Sequence, residues 1–98
     1  MVFSATPEYY SLVKKGQIPV TSPEDLIREV AAIIRNIRKE KGLSQEEVAG
    51  LSMSVRTFVR IEKGEVAPTL RSVYHIARGL GVQPARLFEG IQLLERED

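Results

Sequence analysis

The chain has 98 residues, 43% hydrophobic and 28% charged, with no cysteine and a single histidine. That length supports one core rather than two, which argues against an enzyme with a deep cofactor cleft, and without thiols His75 alone cannot hold zinc; neither a metal nor another cofactor is expected. The formal charge of +1 hides an uneven spread, since residues 1–88 carry 13 basic and 9 acidic side chains while Glu89, Glu95, Glu97 and Asp98 crowd the end; a polyanionic partner is permitted but not required.

In chain order, Thr6-Pro7-Glu8 combines a capping residue, a proline suited to the first helical position and an acid in the first turn. A short N-terminal helix is therefore predicted from Pro7 to Lys15, closed by Gly16, with GQIPVTS as an aperiodic connector. Ser22-Pro23-Glu24-Asp25 is a second start signal, and Leu26, Ile27, Val30, Ile33, Ile34 and Ile37 then form the apolar stripe of a long helix ending before Gly42. Ser44-Gln45-Glu46-Glu47 reads as a full capping box, opening a short helix that carries Val48, Ala49 and Leu51.

Ser54 caps the next helix, which Gly64 should end in a left-handed turn. In that helix Phe58 and Ile61 can face a core with Met53, leaving Val55, Arg56, Val59 and Arg60 outward. Thr69 caps a helix with Leu70, Val73, Ile76, Ala77 and Leu80, and Gln83-Pro84 starts a last one with Leu87, Phe88, Ile91 and Leu94. Strand signals are absent, so an all-α domain of helices joined by short turns is expected. No run approaches the roughly 20 apolar residues of a membrane span and the N-terminus lacks a signal-peptide pattern, so a cytoplasmic location and no membrane partner are expected.

Two short helices joined by a tight turn, the second with arginines on its outer face, make a helix-turn-helix physically possible. The segments LSQEEVA, RIEKG, P-T-L and ARGLGV, within Ile33 to Glu89, resemble the helix-turn-helix family of phage lambda repressor and Cro, whose bacterial members are called xenobiotic-response-element regulators. The resemblance implies a five-helix lambda-repressor-like domain, assigned to residues 22–90; outside it lie the N-terminal extension, 1–21, with the short helix predicted above, and the end of the last helix with the acidic tail, 91–98. It implies that Ser44 to about Leu51 is the positioning helix and Ser54 to Lys63 the recognition helix. Gln45 would touch a phosphate and brace the recognition helix, Val55, Arg56, Val59 and Arg60 would read bases, and Arg38 would pair with Glu62. Relative to the family the segment Gly42 to Glu62 is one residue short, which puts the family's turn glycine at Ser52.

The chemistry of these residues agrees with such roles. Arginine near the start of an inserted helix can hold guanine O6 and N7 in a bidentate pair, and valine can lie against a thymine methyl. Ser44, Ser54, Thr57 and Lys63 suit phosphates, which fix register without carrying sequence information. Ser44 and Ser54 are better read as caps than as nucleophiles, Glu46 and Glu47 as helix-dipole residues, and His75 as a surface or packing residue, so no enzyme is expected.

Phe88, Ile91 and Leu94 exceed what one short helix is sure to bury and are expected at a subunit interface. A two-fold dimer would place two recognition helices on one face of double-stranded DNA, one turn apart, and read a palindromic operator. With no effector domain after the DNA-binding unit, regulation would follow protein concentration, as in the controller proteins of restriction-modification systems. The alternative implied by the same resemblance is an antitoxin that holds a toxin protein and autoregulates its operon. Tyr9, Tyr10, Leu12 and Val13 in the extension could fold onto the long helix, extend a dimer or bind that partner, and Lys14 and Lys15 could reach a phosphate.

Overall fold

The computed structural model describes Ser11 and residues 13–94. In chain order it contains β1 (Ile18–Val20), α1 (Pro23–Glu40), α2 (Gln45–Ala49), α3 (Val55–Glu62), α4 (Leu70–Leu80), a 3-10 turn (Pro84–Phe88) and β2 (Ile91–Leu93). Most of the predicted N-terminal helix, with Tyr9, Tyr10 and Leu12, lies outside the described residues, as do residues 95–98 of the acidic tail. Ser11, Val13 and Lys14 are helical, and Val13 is exposed.

Each α-helix begins as its sequence dictates. Ser22 is extended and its hydroxyl accepts from the Asp25 amide at 3.1 Å, while Pro23 occupies the first turn, where its missing N–H costs nothing. The Asp25 carboxylate reaches one residue further back than a simple capping box, accepting from the Thr21 amide and hydroxyl at 3.1 and 3.0 Å. At α2 the box is complete: Ser44 Oγ accepts from the Glu47 amide at 3.0 Å and Glu47 Oε1 from the Ser44 amide at 2.9 Å. Ser54 and Thr69 cap α3 and α4 through the amides of Thr57 and Ser72.

One core holds the helices together. Ile34 and Ile37 of α1, Val48 and Ala49 of α2, Phe58 and Ile61 of α3, Ile76 and Leu80 of α4 and Leu87 of the 3-10 turn are buried in one cluster. Phe58, Ile34 and Ile76 are wholly inaccessible. Leu26 and Leu70, the first apolar residue of each of their predicted stripes, are instead exposed. Helices α2 and α4 approach closely: a Cβ on Gly79 would overlap the carbonyl oxygen of Val48 and lie 3.2 Å from its carbonyl carbon and Cα.

The all-α, five-helix expectation is corrected at both ends of the chain. Among the described residues four complete α-helices form, besides the helical Ser11, Val13 and Lys14, but the last predicted helix is a 3-10 turn that stops at Phe88, because Gly90 turns the chain at φ +81° and the next residues are extended. The predicted connector GQIPVTS supplies their partner. Ile18, Pro19 and Val20 pair in parallel with Ile91, Gln92 and Leu93, and the pair is extended by bonds from Ile18 N to Gly90 O (2.7 Å) and from Leu94 N to Val20 O (2.8 Å). A parallel pair needs a long crossover, which here is the whole helical body.

Of the expected interface residues, that pairing corrects Leu94. Leu94 is 7% exposed and belongs to the interior of the single chain, and Ile91 is half-buried against the core cluster. Phe88 is 39% exposed.

Candidate nucleic-acid interface

The α2–α3 unit is short, and five residues of α2 could not hold a helix alone in water. Its geometry is set by α1 through one carboxylate. Glu62, at the end of α3, is 4% exposed. Arg38 of α1 donates to it twice, Nε to Oε2 at 2.6 Å and an NH2 group to Oε1 at 2.9 Å, and Gln45 of α2 donates Nε2 to Oε1 at 3.0 Å. Arg38 also donates to the Leu43 carbonyl at 3.1 Å, and Arg35 to the carbonyl of Glu62 itself at 3.1 Å. Burial pushes the Glu62 carboxyl up, but the hydrogen bonds from Arg38 and Gln45 and the charges of Arg38 and Arg35 outweigh it and hold it below its ordinary value.

The expected Arg38–Glu62 pair is thus present, with Gln45 as its third member. Sequence reading missed Arg35, although its position three residues before Arg38 puts it on the same stripe of α1. It satisfies one of the carbonyls left open at the end of α3.

The turn between α2 and α3 differs from expectation. Helix α2 stops at Ala49, Gly50 takes φ +55° and ψ −141°, and Leu51 is fully exposed in the turn rather than part of the helix. The glycine that the turn requires is therefore Gly50, not a substitute at Ser52, and every residue with positive φ among the described residues is a glycine. The chain then reaches Ser54, from which α3 runs to Glu62 with Lys63 as its C-cap, in the expected register.

With Phe58, Ile61 and Glu62 turned inward, Arg56, Thr57, Arg60 and Lys63 are exposed on α3, and Ser54 is exposed at its start. Val59 is half-buried. Val55 is half-buried too and packs against the core cluster, so it is divided between the interior and the outer face. The only acid on the helix is the inward Glu62, and Arg60 meets Glu65 in a loose, exposed pair at 3.8 Å. Ser44 and Gln45 at the start of α2 are half-buried. His75 is half-buried on α4, its ring edge-on to Tyr74 at 5.2 Å.

No group of metal-ligating side chains assembles among the described residues, and no helix there is long and apolar enough to cross a membrane. What the geometry defines is a helix-turn-helix protein, with a basic outer face on its second helix and a buried ion pair behind it. The chain belongs to the helix-turn-helix family HTH_3, which matches residues 34–87, and is a transcriptional regulator with the DNA-binding fold of that family.

It is 44% identical over 50 residues to an uncharacterized HTH-type transcriptional regulator of Methanothermobacter thermautotrophicus, covering 50% of this chain and 72% of that protein. It is 42% identical over 55 residues to the cryptic phage CTXphi transcriptional repressor RstR of Vibrio cholerae, covering 55% of this chain and only 50% of the repressor. Among solved structures, the restriction-modification controller protein C.AhdI from Aeromonas hydrophila matches with a TM-score of 0.60 at 28% identity, over 63% of this chain and 96% of that one.

Proposed function

We propose that the chain is a homodimeric, sequence-specific regulator that inserts α3 into the major groove of double-stranded DNA and reads a palindromic operator. Residues 22–90 are the DNA-binding unit in this reading, with the flanking segments attached through the strand pair. The observation that carries it is the division of α3: Arg56, Thr57, Arg60 and Lys63 are exposed while Glu62, the only acid on the helix, is buried and neutralised by Arg38. A merely solvated helix has no need to withdraw its acid from one face, whereas a helix laid among phosphates does.

Roles follow from position. Arg56, in the first turn, is placed to pair with a guanine edge; Arg60, one turn on, reaches a base or a phosphate once released from Glu65. Val55 and Val59 offer apolar contact to a thymine methyl. Ser54, Thr57, Lys63 and the start of α2 at Ser44 and Gln45 serve the phosphates. Gln45 spends one Nε2 hydrogen on Glu62, so its second Nε2 hydrogen and its backbone N–H, at the first position of α2, are the donors left for a phosphate. One contact of this kind ties the DNA backbone to the residue that braces the reading helix.

The test is selection of bound duplexes from a random double-stranded pool, followed by salt titration of the winner. A two-fold symmetric site with a steep salt dependence is the expected result. Failure to enrich any sequence would overturn sequence-specific reading and leave the basic face as charge alone.

A further inference from the structure

The two strands present unlike outer edges. In the β1–β2 ladder, Ile18 donates to Gly90 and Leu94 to Val20, so the main-chain groups of Ile18 and Val20 face β2, and by alternation those of Gln92 face β1. Pro19 therefore sits with its backbone directed to the outer edge of β1, where it has no N–H to offer. On β2 the outward groups belong to Ile91 and Leu93, both with free N–H donors, and outside the ladder neither makes a backbone hydrogen bond among the described residues.

Among the described residues one edge is thus blunted by proline and the other is open. Natural sheets guard such edges with charge, proline or a covering element. The β2 sequence Ile91-Gln92-Leu93 has no charge and no proline, and Leu93 is 81% exposed. Phe88, just before the strand, adds a partly exposed ring. A two-stranded sheet is also marginal by itself.

We propose that the open edge of β2 is the pairing surface for a second copy of this chain, the two β2 strands running antiparallel about a two-fold axis through Gln92 to form a four-stranded sheet. This rests on the homodimer reading above and specifies its interface. A second copy fits because the edge is self-complementary. With Ile91 opposite the partner's Leu93, each residue both donates and accepts, and four N–H···O bonds satisfy every outward group of both strands. No like charges meet within the three paired residues, and the exposed Leu93 side chains are covered.

The arrangement makes Gln92 its own neighbour across the axis, in a non-hydrogen-bonded pair with Cα atoms about 4.5 Å apart. That spacing falls within the range a disulfide spans. The chain has no cysteine, so a single introduced thiol reports without background.

The experiment uses the full chain carrying Gln92→Cys, with Asn36→Cys on the exposed side of α1 as the control. On mild oxidation at micromolar concentration, Gln92→Cys should cross-link about 100-fold faster than the control, because paired thiols meet at millimolar effective concentration. Adding Leu93→Pro, which removes an outward N–H and leaves the β1 ladder alone, should abolish that advantage without changing the helical circular dichroism. Wild type should sediment as a dimer and Leu93→Pro as a monomer. If Gln92→Cys cross-links no faster than Asn36→Cys while wild type is still a dimer, the interface lies elsewhere: this proposal is overturned and the homodimer stands. A wild type that stays monomeric, both free and on a selected duplex, overturns both.

Discussion

Arg38 and Glu62 lie 24 residues apart in sequence and share a two-bond contact, at 2.6 and 2.9 Å, that fixes the end of α3 to α1. Glu62 has almost no solvent to fall back on, so truncating its partner leaves a buried, half-satisfied carboxylate. Arg38→Ala should lower stability by about 3 kcal/mol or more, measured by urea unfolding. Replacing both residues by apolar ones of similar volume should recover most of that loss, since the penalty comes from the unpaired charge.

The same carboxylate gives stability a defined pH dependence. Glu62, Asp25 and Glu47 are all held below their ordinary values: Glu62 by Arg38 and Gln45 against its burial, Asp25 chiefly by the Thr21 amide, Glu47 by the Ser44 amide and hydroxyl. A carboxyl depressed in the folded state contributes fully above its unfolded value, and the contribution fades as pH falls through the folded one. The melting temperature should therefore be flat with respect to these groups above about pH 5 and fall below about pH 4. Glu62→Gln should flatten the acid limb; an unchanged limb in that variant would show that Glu62 takes no part in it.

On the outer face, Arg56→Ala should leave the melting temperature within a few degrees and weaken preference at one base pair per half-site by about 1–3 kcal/mol, roughly 5- to 150-fold. Lys63→Ala should weaken binding to all sequences alike and reduce the salt slope by about one unit. Competition assays with single-base variants of the selected site separate the two behaviours. A uniform loss for Arg56→Ala would move that residue from the bases to the backbone.

Two glycines should respond to alanine for different reasons. Within a helix, Gly→Ala ordinarily stabilises by about 1 kcal/mol. Gly79→Ala should instead destabilise by about 1–3 kcal/mol, because its Cβ would run into the Val48 carbonyl of α2. Gly50→Ala meets only the Glu47 carbonyl oxygen at 3.9 Å, so its cost of about 1–3 kcal/mol would come from the backbone conformation at φ +55° and ψ −141°. Thermal melts resolve both, at about 4–8 °C per kcal/mol for a domain of this size.

The helical body was legible because capping residues and apolar spacing act locally. Ser22, Ser44, Ser54 and Thr69 each cap the helix that they announce. The register of α3 was legible through RIEKG, which carries two inward residues, Ile61 and Glu62, in one short segment. The strand pair was not. Ile18–Val20 and Ile91–Leu93 are three residues each, too short for alternation to register, and each is extended mainly because the other lies beside it. Leu87, Phe88, Ile91 and Leu94 mimicked a helical stripe because Leu87 and Leu94 are both buried, although one lies in a 3-10 turn and the other just beyond a strand. The family's turn glycine maps onto Ser52 across the shortened turn, whereas the positive φ falls directly after α2 at Gly50, a backbone property that residue spacing does not carry.

Val55 faces two ways, packing on the core while sharing the outer side of α3. Arg56, Thr57 and Arg60 carry no interior load, so an evolving lineage could exchange them freely and address new operators on an unchanged scaffold. At Val55 that freedom ends. A larger side chain would press on the core and a polar one would be partly stranded in it, so if Val55 meets a base pair as proposed, a change of target there would come coupled to a loss of stability. Inherited diversity among descendants of this chain should accordingly be wide at Arg56 and Arg60 and narrow, confined to small aliphatic residues, at Val55.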